Sequence, residues 1–86
     1  LSYTVLCEAS AEKELAAAYL AAVSPAAVTE ASRSIESLLG QAPLLLGESR
    51  DGTVRVAFEP PLAVWFTVSE ADRLVVIIRF RLIESA

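Results

Sequence analysis

Leu62 to Leu82, LAVWFTVSEADRLVVIIRFRL, is the stretch whose reading decides the fold. It reads as two strands joined by a polar turn, Ser69-Glu70-Ala71-Asp72-Arg73. Strand side chains alternate between two faces. One phase runs Leu62, Val64, Phe66, Val68, then Leu74, Val76, Ile78, Phe80, Leu82, and every member is apolar. That phase predicts a face which another layer must cover. The other phase runs Ala63, Trp65, Thr67, then Val75, Ile77, Arg79, Arg81, and its polar end is basic. A turn that pairs Val68 with Leu74 sets Phe66 against Val76 and Ala63 against Arg79. Trp65 and Arg79 then become diagonal neighbours within cation–π reach. Because Leu74 to Ile78 is apolar on both faces, the second strand is expected at the centre of a sheet rather than at its edge.

Upstream, Thr53 to Glu59 (TVRVAFE) alternates as well, with Val54, Val56 and Phe58 predicted inward and Thr53, Arg55, Ala57 and Glu59 outward. This phase gathers Arg55, Arg79 and Arg81 on one outward face with Trp65. Pro60-Pro61 breaks pairing before the main hairpin, Ser49-Arg50-Asp51-Gly52 reads as a turn, and Leu44-Leu45-Leu46 reads as extended. Near the start, Ser2 to Leu6 (SYTVL) is β-branched and aromatic, hence a short strand.

Two helices lie between. Ser10 is the expected cap of the first, with Glu12 and Glu14 near its positive end. Leu15, Ala18, Tyr19, Ala22 and Val23 repeat at helical spacing, so Tyr19 is expected in the core with its hydroxyl at the rim. Ser24-Pro25 caps and opens the second helix. Val28, Ala31, Ile35, Leu38 and Leu39 form its apolar stripe, with Gly40 as the expected left-handed cap. Alanine surfaces favour a close antiparallel hairpin. The architecture expected is α+β in two layers: a helical hairpin on one face of a mainly antiparallel sheet, in the order β-α-α-β-β-β, with residues 1–86 as a single domain. Glu84-Ser85-Ala86 reads as a short polar tail.

Composition narrows the function. The net charge is −4, and 55% of residues are hydrophobic, above the usual apolar share. A domain this small buries only about 60–65% of its unfolded surface, so the excess predicts a partner or a second copy. Residues 1–49 hold Lys13 and Arg33 against six acids, and residues 50–86 hold five arginines against five acids. Bulk nucleic acid repels such a chain, while a local arginine cluster still acts within about 8 Å. With no histidine and only Cys7, the commonest general base is missing, no intrachain disulfide is possible, and neither a metal nor another cofactor is expected. Cys7, with Glu8 beside it, reads as a structural thiol. No phosphate loop, nucleophile elbow or dinucleotide fingerprint is present. The longest unbroken apolar run falls far short of the ~20 residues of a membrane span, so no membrane partner and a cytoplasmic location are expected.

The opening YTVLCEASAEKEL, the second helix ending IESLLGQAP, the strand TVRVAF and the closing PLAVWFTVSEADRLVVIIRFR together resemble the RelE/ParE toxin superfamily of bacterial toxin–antitoxin pairs. The resemblance implies inhibition of translation, on the ribosome and its mRNA, or of DNA gyrase, with an antitoxin as partner. It implies that Arg55 matches the family's early-strand arginine and that Arg79 or Arg81 matches the one near the end of the last strand. Guanidinium forks suit phosphate. The sequence departs from the family where Leu62-Ala63 replaces an aromatic–arginine pair, and no tyrosine or histidine follows Arg81. The candidate target-binding face is therefore Arg55, Trp65, Arg79 and Arg81, with no catalytic residue assigned. The alternative is a non-catalytic binding or assembly module of the same fold, a decayed toxin, in which these arginines pair with Glu59, Glu84 or a neighbour's acids.

Overall fold

The structure is a computed structural model and describes residues 2–84, with the side chains of residues 50 and 51 excepted. The expected tail therefore lies outside the described residues beyond Glu84. β1 (Thr4–Cys7) leads into a helical hairpin, α1 (Ala9–Ala21) and α2 (Pro25–Gln41). A single 3₁₀ turn (Pro43–Leu45) follows, then β2 (Glu48–Asp51), β3 (Val54–Glu59), β4 (Leu62–Ser69) and β5 (Leu74–Leu82). The sheet order is β1-β5-β4-β3-β2, and only β1 runs parallel to its neighbour. This is the expected two-layer α+β fold, with β5 inside the sheet and one short extra strand, β2. Among the described residues, no helix is long and apolar enough to cross a membrane.

Local chemistry explains most boundaries. Ser24 accepts a hydrogen bond from the Ala27 N–H at 3.3 Å, and Pro25 opens α2. Ser10 does not cap α1; the helix begins at Ala9, with Glu8 in the cap position. Gly40 lies inside α2 rather than capping it, and its carbonyl accepts the Tyr3 N–H at 2.8 Å, tying the helix to β1. Residues 44 and 45 are not extended: Pro43 starts a tight turn closed by Leu45 N–H to Ala42 C=O and Leu46 N–H to Pro43 C=O. The turn expected at Ser49 to Gly52 lies one step later, because Asp51 pairs with Val54 and leaves Gly52, at φ 58°, in the loop.

The core joins Val28, Ala31, Ile35 and Leu39 of α2 and Ala11 and Ala18 of α1 to the helix-facing side of the sheet. In β4 that side is Leu62, Val64 and Phe66, all fully buried, as the alternation predicts. β5 departs from it. Phe66 pairs with Ile77 while Trp65 pairs with Arg79, so Ile78 has no opposite residue and forms a β-bulge. N-terminal to the bulge, Val75 and Ile77 face the core, and beyond it Phe80 and Leu82 do. Leu74, Val76 and Ile78 are thus not the covered face. The turn is one residue shorter than expected, with Ser69 opposite Leu74, and a slip of one residue reverses the faces of a strand until a bulge restores them.

β3 is reversed along its length. Ala57 pairs with Val64 and joins the core, whereas Val56 pairs with Trp65 and Phe58 with Ala63 on the open side. Phe58 is 57% exposed. Tyr19, expected in the core, is 46% exposed over the hairpin groove.

Candidate functional site

The sheet face away from the helices is built in rows. β4 supplies Ala63, Trp65 and Thr67, and antiparallel pairing sets Phe58 and Arg81 on either side of Ala63, then Val56 and Arg79 on either side of Trp65. Directly paired residues share a face, so these side chains form one surface. Val56 and Ala63 are buried there although no helix covers them, because their larger neighbours shield them. Phe58, Trp65, Arg79 and Arg81 remain accessible above them.

Arg79 is held on two sides. Its guanidinium carbon lies 5.1 Å from the centroid of the Trp65 ring, a cation–π contact. Its Nε lies 4.0 Å from Glu14 Oε2 of α1, a partly exposed ion pair. The other Glu14 oxygen accepts the Phe80 N–H at 3.0 Å. The predicted Trp65–Arg79 contact is therefore present, made by direct opposition across the strands instead of diagonally. Arg81 is exposed and has no ion-pair partner among the described residues.

Arg55 stands elsewhere. It pairs with Phe66, so its side chain leaves β3 on the helix side of the sheet. Its Nη2 lies 3.1 Å from Leu44 O, 3.4 Å from Leu46 O and 3.0 Å from Gly47 O. The expected common face of three arginines is thus a face of two, and Arg55 instead clasps the segment between α2 and β2. Its buried Nε has no hydrogen-bond partner among the described residues. Gly47 makes this packing possible: a Cβ there would lie 2.2 Å from Val56 O, at a φ of 72° that side chains rarely adopt. Glu84, suggested as an arginine partner, accepts the Val23 N–H at 2.9 Å and ties the end of β5 to the hairpin.

Sequence reasoning missed Glu14 and Phe58. Glu14 reaches Phe80 across 66 residues, and nothing local signals such a contact. Phe58 was hidden by the reversed phase of β3. Cys7 packs beside the core, and burial, followed by the charges of Glu12, Glu36 and Glu8, pushes its thiol above the usual 9.0. A raised thiol pKa lowers the share of thiolate, the nucleophilic form, near neutral pH.

Solved structures show the same architecture. A chain of the RelBE2 toxin–antitoxin complex from Mycobacterium tuberculosis matches with a TM-score of 0.75 at 18% identity, over 95% of this chain and 92% of that one. A chain of the chromosomal ParDE toxin–antitoxin system from P. aeruginosa matches with a TM-score of 0.67 at 21% identity, over 95% and 97%. The protein has the RelE/ParE toxin fold. No protein-family model matches the sequence, and no curated protein matches it significantly. At this identity the likeness is one of fold, and the RelE/ParE-like sheet of this protein carries its own set of side chains.

Proposed function

We propose that this protein is the toxin of a type II toxin–antitoxin pair, bound by a cognate antitoxin and acting through Trp65, Arg79 and Arg81 on the open face of the sheet. The observation that carries this reading is that cluster, an aromatic ring with the Arg79 guanidinium over it and Arg81 one row further along, on an uncovered face of a RelE/ParE-like fold. Arginine remains protonated at any physiological pH and forks onto phosphate or carboxylate. The face therefore grips an anionic or acidic target rather than moving protons on it. Translation and DNA gyrase are the two target classes that fit.

A second reading has an observation of its own. Arg55 is engaged with backbone carbonyls, and Arg79 with Trp65 and Glu14, which suits a binding or assembly module whose arginines serve the fold. Controlled expression in a bacterial host, with an Arg79→Ala/Arg81→Ala variant alongside, separates the two. Growth arrest by the parent and its loss in a folded double variant are expected, after which mRNA-cleavage and DNA-supercoiling assays identify the target. Soluble parent protein that leaves growth unchanged would sink the toxin reading and favour the module.

A further inference from the structure

β1 and β5 differ in length, and the difference leaves an open lane. β1 ends at Cys7, opposite Ile77, where the chain turns away into α1, while β5 continues to Leu82. Beyond Ile77 the edge of β5 faces no strand among the described residues. The strand alternation there is readable from two bonds. Ile83 N–H donates to Pro61 O on the β4 side, and Phe80 N–H donates to Glu14 on the other. The backbone groups of Phe80 and Leu82 therefore point into the lane. A groove of about 380 Å³ lies along it, walled by Ala17, Ala18 and Ala21 of α1 on one side and by Arg79 to Leu82 on the other. The alanines keep this wall low.

We propose that this lane takes an extended, acidic peptide segment of a partner protein as a sixth strand, continuing the line of β1. Three features select that occupant. Open strand edges bind extended peptides through main-chain hydrogen bonds. Arg79 and Arg81 stand on the outer flank and favour acidic side chains at every second position of the incoming strand. The helix-side positions meet Ala17, Ala18 and Ala21, which leaves room for apolar side chains. Glu14 already shows the chemistry in miniature, since one oxygen occupies the Phe80 N–H and the other pairs with Arg79. An incoming strand replaces both contacts, its carbonyl taking the N–H and its acid taking the arginine. The proposal does not depend on growth arrest and holds for either reading above.

The test is a titration of the isotope-labelled 86-residue chain with the synthetic peptide acetyl-TEVEVET-amide, followed by amide NMR. A lysine counterpart, acetyl-TKVKVKT-amide, serves as control. The amides of Phe80 and Leu82 are expected to shift with the acidic peptide and not with the basic one. Glu14→Ala is expected to tighten binding roughly two- to tenfold, the worth of one competing hydrogen bond. Arg79→Ser/Arg81→Ser is expected to abolish the preference for the acidic peptide. Failure of both the parent and Glu14→Ala to respond at Phe80 and Leu82 would overturn the proposal. So would equal binding of the basic peptide, or shifts confined to the hairpin groove at Tyr19 and Val28.

Discussion

Arg55 and Arg79 are both strand arginines in one sheet, and the structure uses them in opposite ways. Arg55 points to the helix side and closes a loop with its guanidinium over the carbonyls of Leu44, Leu46 and Gly47. Arg79 points to the open side and rests on Trp65. The difference comes from pairing: Arg55 stands opposite buried Phe66, and Arg79 opposite half-buried Trp65, its neighbour on β4. An arginine in a strand is therefore structural or available according to its register, and the register of a single strand is set by its partner.

Substitutions widen or close this contrast. The largest effect is expected for Phe66→Ala, which empties the centre of the covered face and should cost about 3–5 kcal/mol in urea unfolding. Arg55→Ala comes next. It strips the clasp from the exposed carbonyls of Leu44 and Gly47 and the half-buried one of Leu46, and about 1.5–3 kcal/mol, the range for hydrogen bonds to a charged group, is expected, with faster amide exchange at Leu45 and Leu46. Arg55→Lys should recover less than half of this, because an ammonium cannot reproduce the reach of the fork. Arg79→Ala gives up a partly exposed cation–π contact and should cost no more than about 1 kcal/mol. Arg81→Ala, at an exposed position without an ion-pair partner among the described residues, should change stability by less than about 0.5 kcal/mol.

Cys7 extends the comparison to the covered face by another readout. Its thiol pKa is raised in the folded protein. The folded state then holds its proton after the unfolded chain has released it, so the associated stabilisation is complete below the unfolded pKa and is lost as pH rises above about 9. Alkylation of Cys7 near pH 8 should accordingly be slower in the native protein than in denaturant. Equal rates would contradict a shielded thiol.

The same pairing logic explains what was legible in the sequence. β4 could be read because its alternation, Leu62, Val64, Phe66 against Ala63, Trp65, Thr67, has one clearly larger apolar phase. The two-helix cover, the Ser24-Pro25 junction and the Trp65–Arg79 contact followed from local pattern and composition. β3 misled because both of its phases contain apolar residues. Phe58 is the larger side chain, but small Ala57 is the one that fits under the core beside Gly47. β5 misled for the same reason: Leu74 to Ile78 is apolar throughout, so its faces were decided by the shorter turn that sets Ser69 opposite Leu74 and by the bulge at Ile78, neither of which periodicity reveals. The candidate site was accordingly half legible. Trp65, Arg79 and Arg81 share a face, whereas the placement of Arg55 and the part played by Glu14 depend on contacts between distant segments.

The most direct test of the two arginine roles compares Arg55→Ala with Arg81→Ala in parallel, by thermal unfolding and by growth arrest on expression at low temperature. The account predicts a lowered Tm with arrest retained for Arg55→Ala, and an unchanged Tm with arrest weakened for Arg81→Ala. The reverse pattern, a stable Arg55→Ala protein without arrest beside an Arg81→Ala protein that still arrests growth, would contradict it.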